Sequence, residues 1–136
     1  MQKKKILVIE DDESTLDTLV LYLEEQDFIV YSAKNGVSGL DIVKNHKPHL
    51  VISDIKMAGI NGIELALLIK ELNYRIPVIL ISAYDFADNK SVDICSYAFL
   101  QKPISIKDLN ILIHILICYH RLSRCSIHMN IYYFFK

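Results

Sequence analysis

Five short apolar runs alternate along this chain with longer segments that have helical character. The runs occupy residues 6–9, 28–33, 50–54, 77–82 and 98–101. Runs of this length are typical of strands that are buried on both faces of a sheet. Because a helical segment follows each run, we predict an α/β fold in which helices cover both faces of a parallel sheet.

Polar residues at the ends of these segments support the predicted helices. Asp12 or Ser14 can cap the first helix, and Asp27 lies where this helix should end in a left-handed residue. Asn35 begins a turn into the second helix, and Ser105 resembles the first residue of a capping box for the last one. The predicted helices end near residues 27, 46, 72, 93 and 122, and the fourth (residues 84–93) has the weakest pattern.

Charge and cysteine content narrow the class of protein. The chain has 15 Lys and Arg against 16 Asp and Glu, so we expect no basic surface for nucleic acid. The three cysteines are odd in number and lack metal-ligand spacing, which indicates reduced thiols in a cytoplasmic protein. No apolar run reaches the roughly 18 residues of a membrane-spanning helix. We therefore expect a cytoplasmic protein without a membrane span.

Polar residues suited to metal and phosphate chemistry occur where four of the runs end. Glu10, Asp11 and Asp12 follow the first run, Asp54 ends the third, Ser82 ends the fourth and Lys102 follows the fifth. In parallel sheets, binding sites form outside the carboxyl ends of the strands. Carboxylates from adjacent strands repel one another unless a cation is present, and Mg²⁺ suits such oxygen ligands. We therefore expect a Mg²⁺ site at this edge of the sheet.

The same residues could support a covalent aspartyl phosphate. Asp54 would attack phosphorus as a nucleophile, Ser82 would donate a hydrogen bond to the phosphoryl group, and Lys102 would pair with its charge. Each residue alone also has an ordinary explanation. Acidic residues after a strand often cap a helix, and a lone Asp often stabilises a turn. Their coincidence at one edge favours the functional interpretation.

These motifs resemble the response-regulator receiver domains of bacterial two-component signalling. The resemblance covers residues 4–122 and is carried by Ile-Leu-Val-Ile-Glu-Asp at 6–11, Asp-Ile-Lys-Met at 54–57 with Gly59 and Asn61-Gly62, Ile-Ser-Ala at 81–83 and Phe-Leu-Gln-Lys-Pro at 99–103. It implies a flavodoxin-like (βα)5 doubly wound sheet with the strand order 2-1-3-4-5. We place the receiver domain at residues 4–122 and expect residues 123–136 to be an atypical tail without a second domain.

The resemblance also implies a role for each site residue. Asp54 is the expected phosphoacceptor, which Lys102 and Ser82 assist. The expected Mg²⁺ ligands are Glu10, Asp11, Asp54 and the backbone carbonyl of Lys56, whereas Asp12 falls at the helix cap. The bond between Lys102 and Pro103 is expected to be a cis peptide.

A receiver domain implies partners and a switch. The phosphoryl donor would be a sensor histidine kinase or a phosphotransfer protein. Phosphorylation would draw Ser82 inward and open space for Phe99 to turn in. The surface of the fourth helix, fifth strand and fifth helix would then change for a downstream protein or for a homodimer.

Several positions depart from the usual receiver pattern. Ala58 replaces a common proline, Cys95-Ser96 stands where Gly-Ala is common, and Phe99 lacks the hydroxyl of the commoner tyrosine. Lys56 and Tyr84 occupy positions that tune the lifetime of the phosphate in such domains. These departures bear on the loop beside Asp54 and on the switch.

The last helix carries two apolar stripes. The first, formed by Leu109, Leu112, Ile113 and Leu116, is expected to face the core. The second is formed by Ile111, Ile115 and Leu122, and the core should not need it. It could pack under the tail or form a surface for a dimer or another partner.

Two other functions compete with the phosphoacceptor interpretation. A phosphohydrolase of the haloacid-dehalogenase type requires a second Asp two residues after the nucleophile, where this chain has Lys56. An interaction module that never takes phosphate would not need the intact set of acidic residues and Lys102. We expect no metabolic enzyme, and at most autophosphorylation from small donors and autodephosphorylation.

Overall fold

A computed structural model describes residues 2–72, 74–83 and 98–122, with side chains described as far as Cys118. The predicted fourth helix, Tyr84, Cys95-Ser96 and the tail at residues 123–136 lie outside the described residues. Within the described part, no helix is long and apolar enough to cross a membrane.

The described residues form one five-stranded parallel sheet, as predicted. Its strands are β1 (Lys5–Ile9), β2 (Ile29–Ala33), β3 (Leu50–Asp54), β4 (Val78–Ser82) and β5 (Ala98–Gln101). The spatial order is β2-β1-β3-β4-β5, which confirms the expected doubly wound arrangement. The order reverses between β1 and β3, so the carboxyl ends of these strands flank the switch point of the sheet.

Four helices are present among the described residues. They are α1 (Glu13–Glu25), α2 (Gly36–His46), α3 (Gly62–Glu71) and a C-terminal helix (Ile106–Leu122). Asp12 caps α1 by accepting a hydrogen bond from the backbone N–H of Thr15, and Asn35 caps α2 in the same manner. Asp27 adopts the expected left-handed conformation, with φ 71°. These local expectations are confirmed.

The core has two halves, one on each face of the sheet. α1 and the C-terminal helix cover the first face, where Leu109, Leu112, Ile113 and Leu116 are buried as predicted. α2 and α3 cover the second face with Val43, Leu65 and Ile69. Both faces of β3 and β4 are therefore sealed from water.

One strand departs from the expected burial. Among the described strands β2 pairs with β1 alone and lies at the edge of the sheet, and Ile29 at its start is 40% exposed. β2 is therefore an exception to the general expectation of strands covered on both faces. An edge strand has a neighbour on one side only, so its flanking helices cannot enclose it fully.

Candidate functional site

Two acidic residues meet at the carboxyl edge because their strands are neighbours. β1 and β3 pair in register up to Ile9 with Ser53, so Glu10 and Asp54 each follow the last residue that these two strands pair with one another. Apolar residues dominate both strands, which buries them and brings the two carboxylates together at the edge. Asp11 follows Glu10 at the start of the loop into α1.

The three carboxylates form a compact cluster. Each of Glu10, Asp11 and Asp54 offers an oxygen, and these oxygens lie within 4.8 Å of one another. Glu10 and Asp54 are only 3% and 7% exposed, whereas Asp11 is exposed. Two carboxylates of the cluster are therefore buried, and the third, that of Asp11, faces solvent.

Lys102 reaches the cluster from the loop after β5. Its Nζ lies 3.0 Å from Asp54 Oδ2 and 3.4 Å from Glu10 Oε2. Its backbone N–H donates to the carbonyl oxygen of Ser82 at 2.7 Å, which ties the loop to the end of β4. The peptide bond between Lys102 and Pro103 is cis, as predicted.

Burial and neighbouring charges shift the pKa values of Glu10 and Lys102 in this cluster. Loss of water around Glu10 is the main reason that its pKa is raised to about 7, and the nearby charge of Asp54 adds to the effect. Burial alone would lower the pKa of Lys102, but the hydrogen bond and charge of Asp54 outweigh it and raise this pKa. The negative charge of these buried carboxylates therefore destabilises the folded protein, and a bound cation would reduce that effect.

Asp12 is separate from the cluster. Its side chain caps α1, and its hydrogen bonds from Thr15 hold the pKa of Asp12 below the usual range. This is the helix-capping role expected for the third acidic residue of the triplet.

The predicted switch residues lie near the same edge. Ser82 ends β4 and is 2% exposed. Phe99 lies in the core half covered by α2 and α3 and is 7% exposed. The side chain of Lys56 is exposed in the loop after β3.

The donor set fits Mg²⁺. Three carboxylates supply hard oxygen donors, and the exposed position of Asp11 leaves that side open to water, which Mg²⁺ usually retains. Lys102 contributes one positive charge against three negative ones, so a divalent cation would balance the cluster. The residues that could hold the ion are Glu10, Asp11 and Asp54, and the backbone carbonyl of Lys56 stays a prediction.

Three residues that support the site were not assigned a role from the sequence. Asn61 caps α3 through the backbone N–H of Glu64 at 2.9 Å. Ser53 donates a hydrogen bond to the carbonyl oxygen of Asp54, and Gly62 lies against the same peptide. The Asn-Gly pair at 61–62 was a visible signal for a turn and cap, whereas Ser53 gave none because it lies inside an apolar strand.

Several bacterial regulators are similar to this chain in sequence. The "Response regulator receiver domain" family matches residues 6–114. The sporulation initiation phosphotransferase F of Bacillus subtilis is 30% identical over 111 residues, which cover 80% of this chain and 90% of that protein. The uncharacterized transcriptional regulatory protein YkoG of the same species is 32% identical over 111 residues, 80% of this chain. This chain spans only 49% of YkoG.

Solved structures give the same result. A response regulator receiver domain protein from Clostridium thermocellum has a TM-score of 0.81 and 28% identity, with coverage of 88% of this chain and 98% of that one. The response regulator protein TrrA from Thermotoga maritima, solved in complex with Mg(2+)-BeF, has a TM-score of 0.77 and 28% identity. That match covers 83% of this chain and 98% of TrrA. The fold, the acidic cluster and these matches together show that the chain belongs to the response regulator receiver domain family of two-component systems.

Proposed function

We propose that this protein is a phosphoacceptor that takes a phosphoryl group on Asp54 from a histidine kinase or phosphotransfer protein. The observation that carries the proposal is the contact of 3.0 Å between Lys102 Nζ and Asp54 Oδ2, beside the carboxylates of Glu10 and Asp11. A cation and a nucleophilic carboxylate thus lie at one partly open edge of the sheet. We further propose that the protein acts in the cytoplasm.

The chemistry is an in-line displacement at phosphorus. A carboxylate oxygen of Asp54 forms a bond to the phosphorus atom as the bond from phosphorus to the donor's imidazole nitrogen breaks, and the nitrogen keeps the electron pair. Lys102 pairs with the negative charge of the phosphoryl oxygens. Mg²⁺, held by Glu10, Asp11, Asp54 and the carbonyl of Lys56, would supply further positive charge at these oxygens.

Phosphorylation by a small donor tests this proposal. The protein is incubated with acetyl phosphate and Mg²⁺, and intact-mass spectrometry follows the gain of one phosphoryl group. We expect the gain in wild type and its loss in Asp54→Ala. Asp41→Asn is the matched control, because Asp41 is an exposed carboxylate on α2, and this variant should be phosphorylated like wild type. Equal phosphorylation of Asp54→Ala would refute the assignment.

Lys102 and the Mg²⁺ ligands have separable roles in this proposal. Lys102→Ala should keep Mg²⁺ binding while phosphorylation slows, because Lys102 acts on the phosphoryl group rather than on the metal. Asp11→Asn should weaken Mg²⁺ binding directly, because it removes a charged ligand. Calorimetric titration with Mg²⁺, paired with the mass assay, distinguishes the two effects.

We propose that Ser82 and Phe99 relay phosphorylation to the surface. Ser82 is buried at the end of β4, and the loop that carries Lys102 is tied to its backbone, so movement at one residue is coupled to the other. Phe99, one strand away, pairs with Leu80 in register. Ser82→Ala should still accept phosphate, while the change in the contacts of the Phe99 ring, followed by NMR, should be reduced.

A groove beside Lys102 is a suitable docking surface for the donor protein. Its volume is about 420 Å³, and it lies between α1 and the loop after β5, with Thr18, Pro103 and Ile106 among its lining residues. We expect Ile106→Asp to slow phosphorylation by a cognate kinase but not by acetyl phosphate. Val37→Asp, which alters an exposed apolar residue on α2, is the matched control.

We propose the C-terminal helix as a face for a homodimer or a downstream protein. Ile111 and Ile115 on this helix are 38% and 36% exposed, in agreement with the second stripe inferred from the sequence. Gel filtration before and after phosphorylation tests the homodimer. A shift that Ile115→Asp reduces would support it, and no shift would count against it.

A further inference from the structure

The backbone of Asp54 lies where the pairing of two strands has just ended. β3 is paired with β4 through Asp54 and Ile81, but its register with β1 stops one residue earlier, at Ser53 with Ile9. On the β1 side, the ladder therefore ends before the residue that must present its carboxylate to the cluster. The N–H of Ile55 in the same peptide still donates to the carbonyl oxygen of Ile81 at 2.9 Å, so β4 holds one side of the peptide. On the β1 side, contacts from outside the ladder take this role.

Ser53 makes the first of these contacts. Its side chain is fully buried, and its hydroxyl donates a hydrogen bond of 2.9 Å to the carbonyl oxygen of Asp54. Val51 in β3 and Ile55 directly after it are two residues away on either side of Ser53, and both are apolar. A buried hydroxyl that makes no hydrogen bond costs free energy. We therefore expect the Ser53 hydroxyl to keep its hydrogen bond to the carbonyl oxygen of Asp54.

Gly62 makes the second contact. It is the first residue of α3, and its N–H donates to the carbonyl oxygen of Ile55 at 3.0 Å. A Cβ at Gly62 would overlap the carbonyl oxygen of Asp54 and would lie 3.0 Å from the Cα of Ile55. All of these are backbone atoms, which cannot move aside as the end of a side chain can. Only glycine lets α3 begin this close to the peptide of Asp54.

We infer that Ser53 and Gly62 are positioning residues that fix the peptide of Asp54, and through it the carboxylate that receives phosphate. Octahedral Mg²⁺ tolerates little error in the placement of its ligands. A backbone shift of a few tenths of an ångström at Asp54 should therefore weaken the metal site before it unfolds the domain. This inference rests on the proposed function and extends it to residues that touch neither metal nor phosphate.

Gly62→Ala and Gly39→Ala form a matched pair of variants. Both add one methyl group to a helix that covers the same face of the sheet. At Gly39 the added Cβ would overlap Cδ1 of Ile9, the far end of a flexible side chain, rather than a backbone atom of the site. Both variants should lose stability, but only Gly62→Ala should disturb Asp54.

The measurement is the Mg²⁺ dissociation constant by calorimetry, with urea unfolding recorded for each variant. We expect Gly62→Ala to bind Mg²⁺ about tenfold or more weakly, which is typical when a residue behind a metal ligand is changed. Gly39→Ala should stay within about twofold of wild type. Unchanged Mg²⁺ affinity in a folded Gly62→Ala variant would overturn the inference, as would equal weakening in both variants.

Ser53 provides a second measurement if Gly62→Ala does not fold. Ser53→Ala removes the hydroxyl with little change in volume and should weaken Mg²⁺ binding several-fold, and Ser53→Cys, a weak donor, should recover part of the loss. Wild-type affinity in Ser53→Ala would also contradict the inference. If wild type itself neither binds Mg²⁺ nor gains a phosphoryl group, the proposed function fails together with this inference. If wild type does both and the variants match it, only the positioning role fails.

Discussion

Replacement of Glu10 by Gln should stabilise the metal-free protein in a manner that depends on pH. Glu10 is 3% exposed, and its pKa rises from 4.5 to about 7 on folding. A carboxyl group with a raised folded pKa binds its proton more tightly in the folded state. Stability therefore falls as the pH rises from about 4.5 to 7, and the full cost is present above the folded pKa.

The size of the pKa shift of Glu10 also determines how much Glu10→Gln should change the free energy of unfolding. Each pKa unit corresponds to about 1.4 kcal/mol, so ionised Glu10 costs about 3 kcal/mol of the free energy of unfolding at pH 8. Gln resembles the protonated carboxyl and can keep the hydrogen bond that Glu10 Oε1 accepts from the N–H of Asp12. The pKa of about 7 already includes the contact of 3.4 Å between Glu10 and Lys102, so we expect a gain of about 3 kcal/mol at pH 8. At pH 4.5 the gain should be close to zero.

Urea unfolding in the presence of a chelator measures this difference at the two pH values. Glu25→Gln, at an exposed position near the end of α1, is the matched control and should change little at either pH. Mg²⁺ at saturating concentration should reverse the order at pH 8, because Glu10 then acts as a ligand. A Glu10→Gln variant that is less stable than wild type at pH 8 without Mg²⁺, or equally affected at both pH values, would refute the reasoning.

Three further predictions concern stability and metal binding. Mg²⁺ at about 100 times its dissociation constant should raise the free energy of unfolding of wild type by about 2.7 kcal/mol, and Asp11→Asn should lose most of this gain in thermal melts. Asp12→Ala should lower stability in urea unfolding through loss of the α1 cap while Mg²⁺ affinity stays unchanged, and weakened Mg²⁺ binding would contradict the separation of Asp12 from the cluster. The pKa of His49 is lowered, mainly by loss of water around its ring, and its Nδ1 accepts a hydrogen bond from the N–H of Lys5. Because the folded state therefore binds a proton on His49 less tightly than the unfolded state, stability should fall as the pH drops below about 6.5. The fall should be smaller in His49→Gln.

Most of the fold could be predicted because its signals are local. An apolar run of four to six residues between helical segments is typical of a buried strand, and capping residues such as Asp12 and Asn35 act on the turn that follows them. The exposure of Ile29 could not be predicted, because its strand resembles the others and only its place at the edge of the sheet differs.

The sequence by itself determined which residues can form the site. Glu10, Asp11, Asp54 and Lys102 are recognisable because each follows a strand, and parallel strands bring their carboxyl ends to one edge. Their chemical types already indicate a metal and a phosphoryl group. These conclusions need only the order of the elements along the chain.

The tertiary structure alone decided how these groups act on one another. The raised pKa of Glu10 depends on burial by residues distant in the chain, and the sharing of Lys102 between two carboxylates depends on distances of a few ångströms. The contact of Gly62 with the peptide of Asp54 likewise depends on how closely α3 approaches β3. Desolvation and close packing arise from the three-dimensional surroundings of an atom, and a linear sequence does not contain those distances.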